Sequence, residues 1–337
     1  MKIAIDAMGG DYAPGVVVQG AVEAVLDYDL DIILVGNSHK IDHELSKIKD
    51  YPKDRIKIVH TEEVIGMDDP PTASVRKKKN SSISLGVNLL KSKDADAFVS
   101  AGNTGAVVCA ATLNLGMLPG IERPGIAILF PTLKGISLVV DVGANIDPKP
   151  IHLLQYGIMA EAYYKHVLDC KGRPTVGLLN VGEEATKGTD FIKETHQLLF
   201  RSPLKFVGNV EGKEIFSGNC NIIVCDGYVG NVALKVTESV VEMLNEFLRR
   251  NILKGFLGKL GTLLLLRNLK RFKKELDYSE HGGAPLLGVN GVIIIAHGRS
   301  SIKAIKNAIK AAQIEVERNV NEKIVDMITF TRETAAS

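Results

Sequence analysis

Residues 3–11 read IAIDAMGGD: a short apolar run, Asp6 at its end, then the adjacent glycines Gly9 and Gly10 ahead of Asp11. Behind them, GVVVQGAVEAV at 15–25 has helical spacing. Strand, glycine turn and helix in that order is the opening unit of a parallel α/β sheet. In such sheets ligands bind beyond the carboxyl ends of the strands, where helix N-termini offer free N–H groups and the positive end of a dipole. A glycine turn alone can be ordinary chain geometry, because glycine enters positive φ freely. Its meaning depends on whether the pattern recurs.

It does recur. KIAIDA (2–7), DIILVG (31–36), IKIVH (56–60), DAFVSA (96–101), GIAILF (125–130), ISLVVDV (136–142), PTVGLLNV (174–181), CNIIVCD (220–226) and GVIIIAHG (291–298) read as strands alternating with helical patterns. That rhythm predicts an α/β fold with a mainly parallel sheet. The exception is PTLKG at 131–135, which is too short for a crossover helix and predicts an antiparallel hairpin. No Gly/Ser- or Pro-rich linker or repeat divides the chain, so one elaborated domain over 1–337 is expected.

Polar and glycine residues gather at the strand ends: SAGNTGAVVCA (100–110), DVGAN (141–145), NVGEEATKGTD (180–190), CDGYVGNVALK (225–235) and AHGRSS (296–301). Five such loops besides DAMGGD, all expected on one edge of the sheet, predict a composite site.

Composition narrows its chemistry. The chain has 337 residues, 45% apolar content and a net charge of +2, which gives no global electrostatic reason to bind nucleic acid. None of the four cysteines forms a C-x-x-C pair, and the opening is a strand, so a reduced cytoplasmic setting is expected. No run approaches the roughly 18 apolar residues of a membrane span. Dinucleotide and P-loop fingerprints are missing, as are H-E-x-x-H, zinc-spaced Cys/His pairs and G-x-S-x-G. Neither a cofactor nor a metal is therefore expected; Asp6, Asp141 and Asp226 are better read as caps than as Mg²⁺ ligands. Cys109 and Cys225 read as core.

What remains suits a small oxyanion. Backbone N–H groups abound, Asn103, Thr104, Asn145, Asn231, Arg299 and Ser300 are donors, and Lys187 and Lys235 are charges. Bound phosphate dianion is already a nucleophile, and a thiol pKa of roughly 8.5 makes thiolate a tolerable leaving group, so positioning can carry such a reaction.

In chain order, IAIDAMGGDYAP (3–14), MDDPPTASVRKKKNSSI (67–83), SAGNTGA, DVGAN, EEATKGTD, DGYVGNVALK and GGAPLLGVNG (282–291) resemble the motifs of the bacterial phosphate acyltransferases. The resemblance spans essentially the whole chain. It implies transfer of a fatty acyl group from acyl carrier protein to inorganic phosphate, giving acyl-phosphate for a membrane acyltransferase that uses glycerol 3-phosphate. It also implies a homodimer and a three-layer α/β/α, Rossmann-like fold akin to phosphotransacetylases and isocitrate and isopropylmalate dehydrogenases. Alternatives are a phosphotransacetylase acting on acyl-CoA, a metal-dependent hydroxy-acid dehydrogenase, and a non-catalytic membrane-surface adaptor.

On this basis Asn103 is expected to stabilise the tetrahedral oxyanion, Arg299 to hold phosphate and His297 to manage protons. Asp6, Gly9, Gly10, Asp11, Gly102, Thr104, Gly105, Asn145, Lys187, Asp226, Gly227, Gly230, Asn231 and Ser300 complete the expected substrate-binding set. Arg76, Lys77, Lys78 and Lys79 form a basic run suited to an acidic carrier, or simply a solvated helix turn. Residues 229–275 read as a protruding helical hairpin for dimerisation and membrane-surface contact. Its glycine-broken tip exposes Ile252, Leu253, Phe256, Leu257 and Leu260 among lysines and arginines. The expected location is cytoplasmic, peripheral to the inner face of the cell membrane.

Overall fold

A computed structural model of the chain describes residues 1–169, 172–252, 267–268 and 282–336. Its strands are β1 (Lys2–Asp6), β2 (Asp31–Gly36), β3 (Ile56–His60), β4 (Ala97–Ser100), β5 (Gly125–Thr132), β6 (Gly135–Val140), β7 (Thr175–Leu179), β8 (Lys205–Val210), β9 (Ile222–Val224), β10 (Ala284–Leu287) and β11 (Val292–Ile295). They form one sheet in the order β3-β2-β1-β4-β11-β10-β5-β6-β9-β7-β8.

The helices relevant to the site are α1 (Gly15–Asp27), α2 (Ser38–Ser46), α3 (Pro71–Lys77), α4 (Ser82–Lys91), α5 (Thr104–Ala110), α6 (Pro150–His166), α7 (Asp190–Arg201), α8 (Glu214–Ser217) and α9 (Gly227–Ile252). Two more, Ile302–Glu317 and Val320–Ala336, close the chain. One sheet face, with Ile126, Ile128, Val139, Ile223, Ile293 and Ile295, packs under α4, α5 and the start of α9. The other is covered by α1 and Ile302–Glu317 at one end, and by α6, α7 and Val320–Ala336 at the other. The three-layer α/β/α expectation is met.

The one-edge expectation is corrected. β1, β2, β3, β4 and β11 are mutually parallel, and β6, β7, β8 and β9 form a second parallel block. β10 is antiparallel to both β11 and β5, and β5 is antiparallel to β6. The two blocks therefore run in opposite senses. The β5–β6 hairpin, itself legible in PTLKG, inverts every parallel strand that pairs onward from β6. Loops after β1, β4 and β11 leave one edge, and those after β6, β7 and β9 leave the other.

They meet nonetheless over β10, which is short. At about 3.3 Å per residue, the four residues of β10 span only about 13 Å, so loops from opposite edges reach over the same patch of sheet.

β8 and β10 were not expected as strands. β8 carries Gly208 at φ +97° beside an irregular register with β7, and β10 contains Pro285; both features hide a strand from a pattern search. Of the segment 229–275 expected as a helical hairpin, residues 229–252 lie in α9. Leu253, Phe256, Leu257 and Leu260 lie outside the described residues, and Ile252 is the last residue of α9. Among the described residues no helix is long and apolar enough to cross a membrane.

Candidate active site

Two buried carboxylates fix the loops, one in each block. Asp6 ends β1; its Oδ2 accepts the Ser100 hydroxyl at 2.8 Å and its Oδ1 accepts the Met8 N–H at 3.1 Å. Ser100 Oγ in turn accepts the Gly102 N–H at 3.1 Å. A Cβ on Gly9 would lie 2.5 Å from Asp6 Oδ2 and 2.6 Å from Gly102 N, so only glycine lets these turns close. Gly10 sits at φ +100°, and the next N–H, that of Asp11, donates to Gly298 O at 2.8 Å. DAMGGD therefore binds neighbouring loops: it ties the ends of β1, β4 and β11 together.

Asp141 does the same in the second block. Its Oδ1 accepts the N–H groups of Ile126, Gly143 and Ala144 at 3.0, 3.0 and 2.9 Å, and its Oδ2 accepts that of Asn145 at 2.7 Å. A Cβ on Gly230 would stand 1.9 Å from Asp141 O, so α9 can start this close to the loop only through glycine. Burial raises the pKa of both aspartates against the pull of their hydrogen bonds.

Over the joint between the blocks lies a cleft with two compartments. One, of about 380 Å³, has an apolar floor of Ile126, Ile128, Ala284 and Ile295, with Leu234 of α9 in its wall. The other, of about 420 Å³, is lined by Asp11, Met67, Gly102, Glu242, Gly298 and Arg299. Thr104, Lys235, Glu238, Ala296 and His297 line both and form the rim between them.

The rim carries linked charges. Lys235 Nζ is 2.8 Å from Glu238 Oε2, and Glu238 Oε1 is 3.9 Å from His297 Nε2. His297 Nδ1 accepts the Arg299 backbone N–H at 3.1 Å, so the neutral ring carries its proton on Nε2, facing the rim. Arg299 places Nε 3.8 Å from Asp11 Oδ2 and Nη1 3.6 Å from Glu242 Oε1. Behind it Ser300 is buried and Ser301 caps the sixteen-residue helix Ile302–Glu317, whose positive end points to the cleft.

The structure thus brings His297, Arg299, Asp11, Gly102, Thr104, Gly105, Asn231 and Ser300 to the cleft. Asp6, Gly9, Gly10, Gly227 and Gly230 lie beneath it as loop anchors. Asp226 caps α9, accepting the Val229 N–H at 2.8 Å. Asn145 donates its amide to Pro124 O and, at 2.8 Å, to Tyr156 Oη, which takes it out of reach of a ligand. Lys187 is exposed on the β7–α7 loop and lines neither compartment.

Asn103 differs most from expectation. Its Oδ1 caps α5 through the Ala106 N–H at 3.0 Å, and its Nδ2 faces the carbonyls of Gly66, Met67 and Asp69 at 3.1, 3.0 and 3.0 Å. An amide with two hydrogens and three acceptors has no donor left for an oxyanion. It clasps the 66–69 loop instead.

Glu238 was missed, although Asn231, Lys235, Glu238 and Glu242 stand at i, i+4, i+7 and i+11 on one face of α9, a spacing that a helical reading from Gly227 contains. Cys225 is buried and its thiol is pushed well up by that burial, then by Asp141 and Asp226, which removes it as a nucleophile.

Arg76, Lys77 and Lys79 are exposed at the end of α3, whereas Lys78 donates to Val64 O and Asp69 Oδ2, both at 2.7 Å. α3 packs on α5 and meets it through Pro71 beside Gly105, at the end of the helix away from the basic run. Among the described residues no group of three His, Cys, Asp or Glu side chains could hold a metal ion.

Comparison with known proteins identifies the family. The family model described as "Fatty acid synthesis protein" matches residues 1–323. A phosphate acyltransferase of Alkaliphilus oremlandii is 50% identical, covering 98% of each chain, and one of Geobacter sulfurreducens is 48% identical, covering 97% of this chain and 94% of its own. Among solved structures, a phosphotransacetylase from Streptococcus pyogenes superposes with TM-score 0.62 over 93% of this chain and 94% of its own at 21% identity, a likeness of fold. With half its residues shared along nearly its full length, this chain belongs to the phosphate acyltransferase family.

Proposed function

We propose that this protein transfers a fatty acyl group from a carrier thioester to inorganic phosphate, giving acyl-phosphate for lipid synthesis. The observation that carries the reading is the divided cleft: an apolar compartment suits the acyl group, the compartment lined by Arg299 suits phosphate, and the thioester carbonyl belongs at the rim between them. A phosphate oxygen attacks the carbonyl carbon, the C–O bond forms, and the sulfur leaves with the C–S bonding pair as a thiolate that solvent protonates.

Lys235 and the Nε2–H of His297 face the developing oxyanion. Such preorganised donors are worth about 10² to 10³ in kcat each. Phosphate draws Arg299 away from Asp11 and Glu242, whose contacts at 3.8 and 3.6 Å are long for ion pairs. Glu238 holds Lys235 in place.

Acyl carrier protein is the proposed donor. The support is the exposed basic run Arg76, Lys77 and Lys79 after α3, complementary to an acidic carrier. A homodimer is proposed from the exposed apolar stripe Val232, Val236, Val240, Met243 and Phe247 along α9. Peripheral membrane contact through the sequence NILKGFLGKLG at 251–261 would deliver the product to a membrane glycerol-3-phosphate acyltransferase.

The test is thiol release from acyl-carrier and from acyl-CoA, with and without phosphate and without nicotinamide. Phosphate-dependent release favouring the carrier supports the reading. Phosphate-dependent release favouring CoA replaces the donor with CoA. No release from either would leave an anion-binding adaptor.

A further inference from the structure

The floor of the apolar compartment has a defined register across the sheet. Ala284 of β10 pairs with Ile295 of β11, and Leu286 pairs with Ile126 of β5; the same antiparallel register puts Ile128 opposite Ala284. One row across the sheet therefore reads Ile295, Ala284, Ile128, a methyl group between two four-carbon side chains. Ile295 and Ile128 are buried, and all three line the compartment. The row is a notch one side chain deep, in the face that looks toward Leu234 of α9.

We propose that this notch lies along the path of the acyl chain and that Ala284 sets how much of a long chain the compartment admits. The inference rests on the acyl-transfer reading. A straight hydrocarbon has no polar group to recognise, so the protein can measure it only by where the apolar floor ends. Each methylene it accommodates is worth about fourfold in kcat/KM, the ratio given by ~0.8 kcal/mol per buried CH₂. Leucine at 284 would fill the notch with three further carbons. Alanine at 128 would widen it.

The test is the ratio of kcat/KM for hexanoyl over palmitoyl thioester, each with phosphate. Ala284→Leu is expected to raise that ratio by at least about tenfold, and Ile128→Ala to lower it by about fourfold or more. Structural damage alone slows both substrates alike and leaves the ratio unmoved, an outcome that overturns the inference. Should Ala284→Leu fail to fold, Ala284→Val and Ile128→Ala still read the ratio in opposite directions. A wild-type protein that transfers both chains with equal kcat/KM overturns the notch but not the acyl-transfer reading. One that releases no thiol from either overturns both.

Discussion

Replacing Asn103 with alanine removes two things that the structure separates. The cap on α5, the Oδ1 contact to Ala106 N–H at 3.0 Å, is worth about 1 kcal/mol. The amide contacts to Gly66, Met67 and Asp69 add about 1 kcal/mol for each of the two hydrogens available. Asn103 is 6% exposed, so little of this is recovered by water, and the expected loss is about 2–4 kcal/mol. Serine keeps a cap without the clasp and should recover about 1 kcal/mol. Aspartate keeps the cap but turns a carboxylate toward three carbonyls, and should do worse than serine. Urea unfolding of the three variants gives the stabilities. Steady-state kinetics should show KM for the carrier rising as the 66–69 loop, which leads into α3, slackens. Alanine at 103 with stability within about 0.5 kcal/mol of wild type, but kcat lower by about 10² to 10³, would refute the clasp and restore Asn103 as an oxyanion donor.

Lys235→Met should lower kcat by about 10²- to 10³-fold, the loss of one preorganised oxyanion donor, visible in initial rates. Asp141, whose pKa burial raises above 3.8, stabilises the fold fully below 3.8 and loses that contribution as pH rises through its folded value; Asp141→Asn should flatten the corresponding slope in urea unfolding between acid and neutral pH. Lys77→Glu with Lys79→Glu should lower the carrier on-rate and its salt dependence and leave acyl-CoA turnover nearly unchanged, measured by stopped flow; Lys78→Met should instead cost stability, because its amine holds Val64 O and Asp69. Phe256→Glu with Leu257→Glu should abolish co-sedimentation with anionic liposomes and leave soluble turnover intact.

Nine strands and the β5–β6 hairpin were legible because each is a β-branched run bounded by glycine or a charged turn. β8 and β10 were not, since Gly208 and Pro285 break their patterns, and β10 is the strand that joins the first block to the β5–β6 hairpin. The loops were legible as a group from their glycines, but individual roles were not. Gly9 and Gly230 are required by contacts to Asp6 and Asp141, distant or buried partners that a local pattern does not reveal. Asn103 could be recognised as a cap from its place before a helix, while its clasp on residues 66–69 exists only in three dimensions. The face of α9 that holds Lys235 and Glu238 was within reach of helical spacing, yet its charges acquire meaning only once His297 is seen opposite.

The most direct measurement is phosphorus NMR of the protein mixed with acyl-carrier thioester and inorganic phosphate, with free thiol assayed in the same sample. The account predicts a new acyl-phosphate resonance growing in step with thiol, one for one, at the expense of inorganic phosphate. Thiol released while the inorganic phosphate signal stays constant would mean hydrolysis rather than transfer and would contradict it.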